Sequence, residues 1–385
     1  MLHQFSNSMI NKVALLVIIL MGLVATVQAQ KSTLQLTLNE ALELASQQGF
    51  ESRIALQNKY AAESAVKQSR AVFLPQINIE EMAVKTNDPI GVFGIKLRQG
   101  IITNADFNPV TLNNPDASHN FTTKVEVLQP VFNLDGFAER KAAKYQYQSA
   151  TEQLKAIKQQ VALQVKQLYY QLVVLDKQIK AQEQFVTTTK EYAKQAQNYF
   201  DQGIITKSDV LTARVKQLEA EQMLANAHKN RSATNDQLLI MIGNSEHSNI
   251  VVENLSIENI DKSNVVTGNA YSENAELRAV QQQKQAAESM LNASKFTFVP
   301  NLNVFGAYEM HDENIFGNKS DNYTIGASLK WNLFKGFSNA GKVAERKAEA
   351  RKVDLMYQQK SPHHKANIRD AERSIEDAIL QFKIS

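Results

Sequence analysis

From about Ala138 to Gln202 the chain contains neither proline nor glycine, and Gly203 is the first residue to break the run. Inside it, apolar residues recur at Leu154, Ile157, Val161, Val165, Leu168, Leu172, Leu175 and Ile179, always three or four apart. That spacing predicts a helix that buries one seam against other helices, and its extra step of four is a stutter that locally unwinds a left-handed supercoil. At ~1.5 Å per residue, ~65 residues make a rod of roughly 100 Å. Globular helices are seldom a third as long, so whatever this chain does, it does across a long distance.

The rod turns back on itself. Gly203 suits the left-handed position that ends a helix, and Thr206 or Ser208 can cap the next one. The returning helix runs to about Ile242 and stops at Gly243-Asn244, giving a helical hairpin over about 138–242. Upstream, Thr37-Leu38-Asn39-Glu40 reads as a capping box before a short helix. A second helix, about Glu51 to Phe73, ends at Leu74-Pro75, because the residue before proline is pushed toward extended geometry. Strand-like alternation follows at Gln76–Glu80 and again at Phe121–Val131. Lys85 to Asn120, with Pro89, Pro109 and Pro115, reads as a long loop holding a brief strand near Ile95–Leu97. Residues 244–272 are rich in Asn, Ser and Val and read as short mixed elements.

The N-terminus sets an address. A polar stretch ending in Lys12 precedes an apolar core from Val13 to about Val24, then Ala25-Thr26-Val27-Gln28-Ala29. We read residues 1–29 as a signal peptide cleaved after Ala29; an uncleaved anchor is the alternative, but the run is short for a spanning helix. No other uncharged stretch is as long as Val13–Gln30. Cysteine is absent, which removes disulfides, thiolate metal sites and an N-terminal lipidated cysteine together. A formal net charge of +3, without a basic run, gives no case for nucleic acid. No phosphate loop, nucleophile elbow or zinc spacing occurs. His363-His364 are adjacent and so do not face each other on a helix; beside Pro362 they read as a solvated break. The expectation is a protein that is not an enzyme and needs no cofactor and no metal.

The chain also repeats. Ala61-Ala62-Glu63-Ser64 returns as Ala286-Ala287-Glu288-Ser289, and Phe73-Leu74-Pro75 as Phe298-Val299-Pro300, both at an offset of 225. Phe121-Thr122 matches Tyr323-Thr324 and Val131-Phe132 matches Leu333-Phe334, both at 202, the difference being the extra length of the first loop. Consistent register on each side of one loop change implies internal duplication.

The strands carry a membrane argument. In Tyr323–Leu333 the odd positions are Tyr, Ile, Ala, Leu, Trp and Leu, and the even ones Thr, Gly, Ser, Lys and Asn. About eleven residues is what a tilted strand needs to cross a bilayer. A soluble sheet packed on one face would alternate in the same way. The export signal, the long helices beside each strand pair, and Trp331, Phe334 and Phe337 grouped like an interfacial aromatic belt favour the membrane. Four strands cannot close a barrel, and an open edge in lipid is forbidden. A membrane role therefore needs several copies in one barrel, and three copies make twelve strands.

Several motifs together resemble the TolC-like outer membrane efflux family, or outer membrane factors. They are Leu36-Thr37-Leu38-Asn39-Glu40-Ala41-Leu42, Phe73-Leu74-Pro75, Gln129-Pro130-Val131-Phe132, Tyr199-Phe200-Asp201-Gln202-Gly203 with Ser208-Asp209-Val210-Leu211, and Trp331-Asn332-Leu333-Phe334. The likeness runs from about Leu36 to Tyr357. It implies a mainly helical, internally duplicated fold, with four transmembrane strands per protomer in a trimer's shared twelve-stranded barrel and a periplasmic tunnel of helices below. It also implies a homotrimer in the outer membrane lipid that extends into the periplasm. Such a channel would be the passive conduit of a tripartite efflux or type I secretion system, fed by an inner membrane pump of RND or ABC type through a periplasmic adaptor. The hairpin tip, Gly203, Thr206, Ser208 and Asp209, would meet the adaptor. Gln153, Gln160, Gln164, Gln171 and Gln178 either line the lumen or form an ordinary wet helix surface.

On this reading residues 30–243 are a first repeat with a β-hairpin about 76–131, 244–272 an equatorial segment, and 273–385 a second repeat with a β-hairpin about 301–333. Counted from Gly136 to Gly203, the second tip falls near position 403, past Ser385, so the second repeat is expected to be truncated. Ser361-Pro362 is expected to interrupt its rod. The competing readings are a periplasmic adaptor, which would carry one unduplicated hairpin, and an exported structural coiled coil, which would not need alternating strands.

Overall fold

Thr37 and Glu40 show how this chain starts its helices. In the computed structural model, which describes residues 33–244, 249–253 and 274–384, the Glu40 amide donates to Thr37 Oγ1 at 3.2 Å and the Thr37 amide to Glu40 Oε2 at 2.8 Å. Two amides that a bare helix end leaves unpaired are thereby satisfied. β1 (Thr33–Leu36) leads into α1 (Leu38–Gln47), followed by α2 (Phe50–Gln68), β2 (Gln76–Thr86), α3 (Pro89–Arg98), α4 (Pro109–Asn113) and β3 (Ser118–Phe132). Then come α5 (Leu134–Asp201), α6 (Lys207–Met241), β4 (Asn249–Val252), α7 (Ala275–Phe296), β5 (Asn301–Asp312), β6 (Ser320–Lys330) and α8 (Ser338–Ile384). The signal peptide expected over 1–29 and most of the 244–272 segment lie outside the described residues. The chain divides into two compact units, residues 1–52 with 160–258, and residues 53–159 with 259–385.

In the first unit, α5 buries Val161, Val165, Tyr169, Leu172, Leu175 and Ile179. Leu168, expected in this seam, is only half-buried, and Tyr169 takes its place. The cause is polar. Tyr169 donates its hydroxyl proton to Leu36 O at 3.0 Å and accepts from the Glu253 amide at 3.2 Å, so the ring turns toward the strands. The returning helix α6 buries Ala213, Ala220, Ala227 and Thr234, one small residue every seven. Small side chains at heptad spacing let two helices approach closely along one seam. Lys190 and Glu221 close an ion pair between α5 and α6 at 3.2 Å. β1 and β4 pair in parallel, Thr33 opposite Asn249 through Leu36 opposite Val252.

The second unit holds a four-stranded antiparallel sheet in the order β2-β3-β5-β6. Gln76 stands opposite Leu128 and Thr86 opposite Ser118; Asn301 stands opposite Lys330 and His311 opposite Ser320. Each strand therefore has one end joined to a helix (Gln76, Phe132, Asn301, Lys330) and one joined to a loop or short helix (Thr86, Ser118, Asp312, Ser320). Gly136 lies inside the first turn of α5. Its amide donates to Asn133 Oδ1 at 3.1 Å, and a Cβ here would sit 2.2 Å from Val72 Cγ2.

Two further expectations change. The segment between β2 and β3 is helical rather than loop-like, and Ile95–Leu97 is not a strand. Asp88-Pro89 and Asn108-Pro109 are the missed signals, each a cap followed by proline at the first helical position: Gly91 N donates to Asp88 Oδ2 at 2.7 Å and Val110 N to Asn108 Oδ1 at 3.0 Å. The helix α8 also runs straight through Ser361-Pro362. A proline there costs about 3 kcal/mol, but contacts to α7 hold both sides. Lys360 pairs with Glu276, and His364 Nδ1 lies 3.3 Å from Asn274 Nδ2, so this histidine is docked rather than solvated. Farther along, Lys284 and Asp354 pair at 2.8 Å.

Candidate functional site

The register assigns each sheet residue to a face. On one face Ile77, Val127, Gly306 and Ile325 form a row, and Ile79, Val125, Tyr308 and Tyr323 form the next toward the loop end. Val304 with Ala327, and Leu302 with Leu329, continue the face toward the helix end. Most of these side chains are solvent-exposed, Ile79 at 73% and Ile325 at 75%. The next row outward, Glu81, Thr123, Met310 and Asp321, is polar: Thr123 donates to Glu81, and Tyr308 donates to Asp321. The opposite face carries Asn78, Glu126, Ala307 and Thr324, then Glu80, Lys124, Glu309 and Asn322.

Trp331, Phe334 and Phe337 follow the helix-side end of β6 and are all exposed. Phe334 and Phe337 meet edge to face at 5.3 Å, and Trp331 Nε1 donates to Phe298 O at 2.9 Å. Their grouping was legible in sequence; the row of Tyr308 and Tyr323 that bounds the apolar band at its other end was not, since it needs the strand register. From Tyr323 to Trp331 is roughly 27 Å along a strand, or about 21 Å after a ~40° tilt, against a ~25 Å band on membrane barrels. Among the described residues, no helix is long and apolar enough to cross a membrane.

The four predicted tip residues share the turn between α5 and α6, in unequal roles. Gly203, at φ +76°, ends α5: its amide donates to Phe200 O at 2.8 Å and that of Ile204 to Tyr199 O at 2.9 Å. Only a residue without a Cβ takes this left-handed position at no cost. Thr206, not Ser208, caps α6. Its amide and hydroxyl donate to Asp209 Oδ2 at 2.9 and 2.7 Å, while the Asp209 amide returns a bond to Thr206 Oγ1 at 3.3 Å. The Thr206 hydroxyl and then its amide hold the Asp209 carboxyl below the usual aspartate range. Ser208 instead accepts from Thr212 through its carbonyl at 2.9 Å. Behind the turn lies a cleft of about 360 Å³ lined by Tyr192, Tyr199, Ile205, Asp209, Ala213 and Lys216. The tyrosines spaced seven apart were its sequence signal.

This architecture is shared with solved structures. The Campylobacter jejuni CmeC outer membrane channel superposes with a TM-score of 0.70 at 13% identity, over 84% of this chain and 67% of that one. The outer membrane protein VceC of Vibrio cholerae gives 0.68 at 14%, covering 90% and 79% respectively. The Neisseria gonorrhoeae MtrE outer membrane channel, in its open state, gives 0.66 at 13%, covering 89% and 75%. A search of curated proteins finds no match. The fold is thus that of the outer membrane channels. The family model for outer membrane efflux proteins matches residues 41–244, more than half of the chain, and the chain belongs to that family.

Proposed function

We propose that three copies pool their four-stranded sheets into one twelve-stranded barrel, continued by a periplasmic tunnel of helices, as a passive conduit for export. The observation that carries this is the sheet itself. Its apolar face is bare, and the edge strands β2 and β6 have no further partner among the described residues. Exposed edges in lipid leave amides and carbonyls without hydrogen bonds, and pairing β6 of one copy with β2 of the next removes every edge. The hairpin supports the same assembly. Leu163, Tyr170 and Val174 on α5 and Leu211, Val215 and Leu218 on α6 are large, apolar and exposed, as expected of helices that complete their packing with neighbouring copies. Matching Phe-X-Pro corners before β2 and β5 support origin by internal duplication.

In this reading Trp331, Phe334 and Phe337 sit at the periplasmic interface of the outer membrane. Gly203, Thr206, Ser208 and Asp209 present the tip to a periplasmic adaptor, and through it to an inner membrane pump of RND or ABC type, in a tripartite efflux or type I secretion system. The signal peptide is removed after Ala29. The test is fractionation of the expressed chain. It should enter the outer membrane, resist carbonate extraction, begin at Gln30 and migrate as a trimer in detergent. A carbonate-extractable monomer would sink the proposal in favour of an adaptor or a structural coiled coil.

A further inference from the structure

The segment between β2 and β3 has a place in the barrel that the family match does not assign. It joins Thr86 to Ser118, both at the loop-bearing end of the sheet, away from the long helices. There α3 packs on β3, and Val92, Ile95 and Gln99 are buried. Gln99 Nε2 donates to His119 O and Asn120 Oδ1, each at 2.9 Å. Asn120 Nδ2 donates to Thr122 Oγ1 at 2.7 Å, and His311 Nδ1 lies 3.2 Å from both groups. Asn322 Nδ2 approaches His311 Nε2 at 3.1 Å. Asn120, Thr122, His311 and Asn322 share the polar face, and a channel wall has no reason to keep such residues dry. Here Asn120, Thr122 and His311 are buried, His311 completely, and only Asn322 stays exposed at the edge. Burying this many polar groups is tolerable because nearly all find a partner, Gln99 Oε1 being the one left without.

One face of α3 is thus committed to the wall, which fixes where the other points. Ile90 and Leu97, spaced seven apart and opposite Val92, Ile95 and Gln99, are 84% and 58% exposed. Lys96 pairs with Asp106 at 2.7 Å, and Phe93 meets Phe107 edge to face at 5.8 Å, so the rest of the segment is tied to this helix. We infer that residues 87–117 form a constriction at the outer mouth of the channel, anchored by Gln99 to the polar face and offering Ile90 and Leu97 to the passage. This rests on the shared-barrel reading. Three such helices around one axis make an apolar ring that resists wetting, and therefore limits what crosses the exit.

Two variants of the full-length trimer test it. A Cβ added to Gly100 would lie 3.9 Å from Ser320 Cβ, close to the ~3.8 Å of a disulfide, and the chain has no cysteine of its own. Gly100→Cys/Ser320→Cys should therefore cross-link within each protomer under copper–phenanthroline; failure to do so in trimers that conduct would overturn the seat. Because Gly100 is left-handed, a second variant avoids the strain. Ile90→Asp/Leu97→Asp alters only exposed positions and should raise single-channel conductance severalfold in planar bilayers while admitting larger solutes. Wild-type conductance and size limit in that variant would overturn the constriction and leave the channel reading intact. A wild-type trimer with no conductance at all would overturn the channel reading and the constriction with it.

Discussion

The two sheets of this chain treat their edges and their apolar residues in opposite ways. The parallel pair β1 and β4 is closed in by side chains. The Ile250 amide donates to Asn235 Oδ1 at 2.8 Å, Arg231 Nη2 donates to Ile250 O at 2.6 Å, and Tyr169 reaches Leu36 O. Leu36 and Ile250 are buried, and of the pair's apolar residues only Val251 is exposed. Among the described residues the antiparallel sheet leaves both edges bare, and it holds Ile77, Ile79, Tyr323 and Ile325 out in the open. The first sheet is finished within one chain; in the proposed barrel the second is finished by lipid and by other copies. Exposure of a large apolar residue is therefore no defect here, but a statement about which solvent the surface meets.

The sharpest way to break this contrast is Ile325→Lys. If the antiparallel sheet faced water, a lysine at this exposed position would shift stability within ±0.5 kcal/mol. Facing lipid near the midplane, it costs ~2–4 kcal/mol per copy, and we expect loss of outer membrane assembly, read by fractionation and native gel. In the small sheet, Arg231→Ala should behave in the reverse sense. It strands Asp176, Asn249 and the Ile250 carbonyl, which Arg231 now serves together, at about 2–3 kcal/mol. Thermal melts should move down while the protein still reaches the outer membrane.

The smallest effect belongs to the tip, which is built by one side-chain exchange and no sheet at all. Thr206→Ala should cost about 1 kcal/mol of local helix stability, seen as faster hydrogen exchange in the first turn of α6. The tip also titrates in a defined direction. Asp209 is held below its ordinary value of 3.8, so its stabilisation is complete above about pH 4 and is lost as pH falls through the lowered folded value. Exchange at the tip should quicken on acidification in the wild type, and Thr206→Ala should flatten that dependence.

Local signals made much of this legible. Thr37, Gly203 and Thr206 were readable because caps and left-handed turns are settled within four or five residues, and the rod because its seam repeats every turn. The Asp88-Pro89 and Asn108-Pro109 starts were equally local and were passed over because prolines and asparagines were read as loop. Other errors had no local remedy. Leu168 and Tyr169 are adjacent candidates for the seam, and a hydroxyl partner at Leu36, 133 residues away, decides between them. Pro362 reads as a stop until α7 is seen to hold the helix on both sides of it.

What the amino-acid order determined alone was the length of the rod, its turn, and the period-two faces of the strands, because each follows from spacing along one element. Tertiary structure decided the rest. The pairing of β3 with β5 brings Asn120 to His311 across 191 residues, and with it the seating of α3 on the polar face. No spacing rule reaches that far, since a sheet's neighbours are chosen by register and shared burial rather than by distance along the chain.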